Sequence, residues 1–236
     1  MDNYYKIFNN YIKQYDFKEP MIRLKFHHTY RVVEFCREIA ESLELNEEDT
    51  EIALLTGLFH DIGRFNQWQQ FNTFIDEKSF DHGDEAYKIL SENDFIEDKY
   101  KDIVLISVKN HNKYMIEPNL DERTKLFCNI VRDADKLDIM REQGNEIKQS
   151  EVILKKELLD SIYNEKICGN KYITNEVDSI IRMLSWVYDL NFKYSYQFLL
   201  DSGIINRKFE LLEIYGETEE LTKLKTTIIN KIKEMC

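Results

Sequence analysis

The chain has 236 residues, is 43% hydrophobic and carries a formal net charge of -12. That charge argues against stable binding to nucleic acid or to an anionic membrane, where clustered cations supply most of the affinity. Gly 7 and Pro 2 leave little turn material, so composition alone leans to an all-α fold. Cys36, Cys128, Cys168 and Cys236 show no CxxC spacing. Three of them fall in apolar runs read as helical and are expected to be buried, reduced thiols. The first residues lack an apolar signal core, and no stretch reaches the roughly 18 apolar residues of a membrane span. The expected compartment is the cytoplasm.

Helical periodicity dominates. A first helix is expected near 2–15, ending before Pro20. A second runs from Ile22 to about Leu43, with Leu24, His28, Val32, Phe35 and Ile39 as its apolar-facing row. His27 falls on another face. Asn46 suits the N-cap of a third helix that ends at His60-Asp61-Ile62-Gly63, with Gly63 as its stop. Residues 64–80 are aromatic and polar without a clear period and are read as an irregular loop, a candidate lid. Asp81 is the expected cap of a helix starting at His82. Another spans about Lys99 to Asn112 and carries His111, before Pro118 and Asn119 break the chain. The next begins near Asp121, contains Asp133, Asp135 and Asp138, and has Gly144 behind it. Further helices are expected at about 148–166, 174–200, 204–215 and 217–234. No repeat and no composition shift marks a second domain. The expectation is one all-helical domain over 1–236, with a core at 20–145 and a packed extension at 146–236.

Four of the five histidines, His28, His60, His82 and His111, lie beside apolar helical runs, as do Asp61 and the Asp133-Ala134-Asp135 pair. Imidazole and carboxylate together are ligands of borderline and hard divalent metals. Helical folds build such sites between helices. Asp133 and Asp135 lie about 200° apart on an ideal helix, so they cannot both face one site.

The segments His28-Thr29-Tyr30-Arg31-Val32, Leu58-Phe59-His60-Asp61-Ile62-Gly63 and Asp133-Ala134-Asp135-Lys136-Leu137-Asp138 together resemble the H…HD…D signature of the HD-domain superfamily, metal-dependent phosphohydrolases of all-helical fold. The resemblance covers roughly residues 20–145. It implies a metal held by His28, His60, Asp61 and Asp135. Asp135 is preferred because the family ligand precedes a basic residue, Leu and Asp, which leaves Asp133 solvent-facing or behind the ligands. Some relatives bind a second metal through the bridging Asp and two later histidines. His82 and His111 stand in that order, either as second-metal ligands or as groups that touch the substrate or protonate its leaving oxygen. The implied cofactor is a divalent metal ion (Mn, Fe, Ni, Co, Zn or Mg), one or two per chain.

Asp61, His82 and His111 are thus the catalytic candidates. Arg64, Lys136 and Lys109 are candidates for phosphate binding, and Trp68, with Phe71 and Phe74, for stacking a base. The implied reaction is attack of metal-activated water on a phosphomonoester, phosphodiester or pyrophosphate, in a small nucleotide-like molecule. The alternatives are a regulatory module that binds nucleotide or metal without hydrolysis, and a di-iron oxygenase. Arg64 and Phe65 stand where relatives that hydrolyse guanosine polyphosphate alarmones carry Glu-Asp, and the Gly-Tyr-Pro marker of the cyclic-di-GMP phosphodiesterase branch is absent, which disfavours both branches. A homodimer through the apolar stripe Ile180, Ile181, Leu184, Val187 and Tyr188 is one of three uses open to it, beside completing the core and covering the pocket.

Overall fold

The computed structural model describes residues 1–142, 146–148, 150–214 and 216–236; Gly144, and residue 215 at the expected end of a late helix, lie outside them. Among the described residues every regular element is helical. The chain forms two compact units, Met1–Asp135 and Lys136–Cys236.

In the first unit, α1 (Asp2–Ile12) buries Tyr4, Phe8 and Ile12. Helix α2 (Pro20–Ser42) opens on Pro20 in its first turn, where a missing N–H costs nothing. Its inward face includes Ile22, Lys25, His28, Val32, Phe35 and Ile39. Leu24 is 40% exposed, so the expected apolar row is displaced by one residue at its start, and a lysine holds the inward place. Helix α3 (Glu47–Phe59) is capped by the Asn46 side chain, which accepts from the Asp49 amide. Every residue from Ile52 to Phe59 is buried, because α1, α2 and α6 (Asp98–Asn110) all pack on this helix.

Residues 64–80 are not the single irregular loop expected from the sequence. Helix resumes directly after Asp61 as α4 (Ile62–Phe71) and stops at Asn72, which adopts a left-handed conformation (φ 51°). Its buried positions are Ile62, Gly63, Phe65 and Gln67. A glycine and a glutamine on the inward face hide the helical period. Gly63 is therefore not a helix stop. It sits in the first turn of α4, packed against α5 (His82–Ser91), where an added Cβ would stand 2.6 Å from the His82 carbonyl oxygen. Gly63→Ala is expected to destabilise the fold by about 1–3 kcal/mol, the usual cost of overpacking, and to push His82 away from Asp61. Urea denaturation with metal analysis checks this; an unchanged midpoint and metal content would show that the two helices separate freely.

The Asp81 carboxylate caps α5 by accepting from the amides of Gly83 and Asp84. Helix α7 (Glu122–Glu142) passes from the first unit into the second. The second unit continues with α8 (Lys156–Tyr163), α9 (Glu176–Ser185), α10 (Lys193–Asp201), α11 (Ile204–Leu212) and α12 (Glu219–Met235). Helix α8 is shorter than the expected 148–166, and the expected helix 174–200 is interrupted by a 3-10 turn at Trp186–Tyr188. No Gly or Pro marks that break. It is held by the Tyr196 hydroxyl, which bonds the carbonyls of Val187 (3.1 Å) and Leu190 (2.8 Å), a tertiary device invisible to local pattern. Ile180, Ile181, Leu184 and Val187 are fully buried, which fits the stripe's use in the core. Cys36, Cys128 and Cys168 are buried free thiols, although Cys168 lies outside any helix. Among the described residues no helix is long and apolar enough to cross a membrane.

Candidate metal centre

Six side chains from separate elements of the first unit converge. His28 comes from mid-α2, and His60 follows the end of α3. Asp61 occupies the break before α4, with φ -103° and ψ 15°. His82 opens α5, His111 closes α6, and Asp135 comes from α7. On one side the Nε2 atoms of His28 and His60 lie 3.3 Å apart. Asp61 Oδ2 is 3.4 Å from the first and 3.6 Å from the second. Asp135 Oδ1 is 3.0 Å from His28 Nε2 and 3.8 Å from His60 Nε2. On the other side the Nε2 atoms of His82 and His111 are 3.0 Å apart, with Asp61 Oδ1 at 3.5 and 3.7 Å. The two oxygens of Asp61 thus face one histidine pair each. His28, His60 and Asp61 form one group that could hold a metal, and Asp61, His82 and His111 form another; all are buried.

The protonation of these imidazoles tests the fit to a cation. His60 Nδ1 donates to the Gly57 carbonyl (2.7 Å) and His111 Nδ1 to the Val108 carbonyl (2.6 Å). His82 Nδ1 donates to Asp76 Oδ2 (2.7 Å). A neutral ring that donates through Nδ1 presents a lone pair at Nε2. Burial drives the His60 pKa down to about 3, partly opposed by Asp61. Burial first, and then the Arg64 charge, take His82 down to about 4. With both Nδ1 atoms engaged, the Nε2 atoms of His82 and His111 turn to each other and to Asp61 Oδ1, the arrangement of ligands about a shared cation. Asp61 stays ionised: burial alone would raise it, but the Lys25 ammonium first, and then His60, hold it well below the carboxylate range. Asp135 is likewise held low against burial, chiefly by His28. The donor set, four imidazoles with two carboxylates, fits a divalent metal.

These shifts fix the sign of a pH effect. Between the folded values near 3 and 4 and the unfolded value of about 6.5, only the unfolded chain takes up protons at His60 and His82. The stability of metal-free protein should rise with pH through this window and fall as pH drops below about 6.5. Urea midpoints at successive pH values check this, and His82→Asn should flatten the decline; a profile level down to pH about 4 would contradict it.

The surroundings are tightly wired. Asp76, from a 3-10 turn in the loop between α4 and α5, accepts from Arg64 Nη1 (2.9 Å), Gln67 Nε2 (2.8 Å), His82 Nδ1 and Asn112 Nδ2 (3.2 Å). The loop after α4, part of the expected lid segment, is latched through Asp76 to a candidate ligand, His82. Arg64 faces inward: Nη1 also donates to Gln67 and to the Phe74 carbonyl, while its buried Nε lies 3.6 Å from Asp61 Oδ1 with no hydrogen-bond partner. Trp68 packs on Phe74 at 5.1 Å between ring centroids. Phe74 in turn lies under Lys25 Nζ (5.3 Å) and the Arg64 guanidinium (5.6 Å).

Lys109 turns its ammonium to Glu117 (3.1 Å). Lys136 pairs with Asp189 (2.9 Å) inside the second unit. Asp133 is fully buried, which removes the solvent-facing one of its two expected places and leaves the one behind the ligands. His27 is exposed.

Sequence reasoning missed Lys25, whose Nζ stands 2.6 Å from Asp61 Oδ2, although it lies one turn before His28 on the same face. It also missed the role of Arg132, whose buried guanidinium bonds the carbonyls of Asn110, His111 and Lys113 and so closes the end of α6 at His111. Asp76 carried no local signal.

A helical bundle with two histidine pairs about one carboxylate defines a class. The chain carries a member of the HD-domain superfamily: the family model described as HD domain matches residues 26–140, the span that holds all six converging side chains. That superfamily is in general one of metal-dependent hydrolases, and the buried His/Asp groups could hold a metal. No curated protein and no solved structure matches the chain.

Proposed function

We propose that the protein is a metal-dependent phosphohydrolase that binds two divalent cations, with Asp61 bridging them, and acts in the cytoplasm on a small phosphorylated, nucleotide-like substrate. The observation that carries this reading is the division of the Asp61 oxygens between the His28/His60 and His82/His111 pairs, within a matched HD domain. His28, His60 and Asp135 would hold one ion, and His82 and His111 the other. Bound divalent ions supply Lewis acidity at the phosphoryl oxygens and acidify water to a nucleophile at neutral pH. Asp61 would serve both ions, and Asp76 and the main-chain carbonyls hold the imidazoles by their Nδ1 atoms. The Lys25 and Arg64 charges favour an anionic substrate over a neutral one. Trp68, Phe74 and the half-exposed Phe71 offer ring surface near the loop for a base.

The test is release of phosphate from a panel of nucleoside mono-, di- and triphosphates, cyclic nucleotides and simple phosphomonoesters, with manganese, iron or cobalt. Turnover that needs added metal and disappears with chelator is expected. A fully metal-loaded protein inert to the whole panel would favour the regulatory binding module.

A further inference from the structure

We infer that Lys25 is a substrate-binding residue of this centre, donating to an oxygen of the substrate's phosphoryl group; the inference rests on the phosphohydrolase reading. Lys25 is 7% exposed, unusual for a lysine. Its ammonium carries three N–H donors. Asp61 Oδ2 accepts one at 2.6 Å, and the Phe74 ring covers the group at 5.3 Å, offering an electrostatic contact and no hydrogen-bond acceptor. Among the described residues no other acceptor meets the ammonium. A buried charge with spare donors is stable only when something exchangeable, water or ligand, takes them.

Its position says which ligand. Asp61 Oδ2 is the oxygen turned to His28 and His60, so the ammonium stands next to the place a first cation would occupy. An anion that coordinates that cation comes within reach of Lys25. A purely structural counter-ion would be a poor choice here, because an ammonium on a metal-binding carboxylate weakens it as a ligand. That cost is offset if the same ammonium also holds the incoming phosphoryl group. Arg64 cannot take this place with Nη1, which is bound to Gln67, Phe74 and Asp76.

The probe is inorganic phosphate, titrated calorimetrically into full-length, manganese-loaded protein, with metal content measured on the same samples. Lys25→Met should keep the wild-type metal content and weaken phosphate binding about tenfold or more, the effect of losing a charge-assisted hydrogen bond. Lys25→Arg should recover most of the affinity. Should the methionine variant fail to fold by circular dichroism, Lys25→Gln keeps a donor for Asp61 without the charge and should show the same loss. Wild-type phosphate affinity per loaded centre in these neutral variants, whatever their metal content, would overturn the role of Lys25 and leave the phosphohydrolase reading intact. Failure of loaded wild-type protein to bind phosphate would overturn that reading and this inference together.

Discussion

Asp61→Ala is expected to empty both histidine clusters and to lower phosphohydrolase turnover by about a thousandfold or more, because activation of water is lost with the ions. The reason is the sharing of one carboxylate: Oδ2 serves the His28/His60 side and Oδ1 the His82/His111 side. His82→Ala, in contrast, should spare the first cluster and leave about one ion per chain, since its ring touches only the second. Removing Asp61 also strands the buried Lys25 charge, and breaking such a pair costs about 3–5 kcal/mol. Asp61→Asn separates the two effects. It keeps the volume and an oxygen for Lys25, and with one oxygen it should hold one ion at most. Elemental analysis of the three variants, beside their urea midpoints, reads metal and fold independently. Full metal content in folded Asp61→Ala would contradict the bridging role.

The second large effect is expected at Asp76, which touches neither histidine pair's Nε2 atoms. Its carboxylate fixes the His82 tautomer and pins the loop after α4 through Arg64, Gln67 and Asn112. Burial would raise its pKa, but the His82 hydrogen bond and the His82 and Arg64 charges keep it below the usual carboxylate range. Asp76→Ala should weaken the second cluster's metal affinity about 10–100-fold, as removal of a histidine's orienting carboxylate does. It should also expose residues 72–81 to protease, with the His28/His60 cluster still loaded. Because a depressed carboxylate stabilises above its unfolded pKa, wild-type protein should lose this contribution as pH falls below about 4, a loss absent from Asp76→Ala. Equal cleavage rates and equal metal content in variant and wild type would refute the latch.

Much of this centre was legible in the chain. His28 and His111 sit in periodic helical runs and His60 follows a continuously apolar one, and Asn46 and Asp81 announce helix starts by their capping chemistry, so the helices and the ligands they carry fall within a few residues of expectation. The failures share a physical cause: inward positions filled by residues that do not look apolar. Gly63 and Gln67 face inward on α4, so the helix reads as a loop. Lys25 faces inward on α2, so the row is displaced onto Leu24. Asp76 acts from a loop across a tertiary contact, and Tyr196 splits a periodic helix from a distance; neither leaves a local trace.

The most direct measurement is metal stoichiometry by elemental mass spectrometry, on protein purified without a histidine tag or chelator and then loaded with manganese or iron. A value near two per chain, reduced to one at most by Asp61→Asn, is the predicted result; a wild-type value of zero after loading would contradict the two-cation centre.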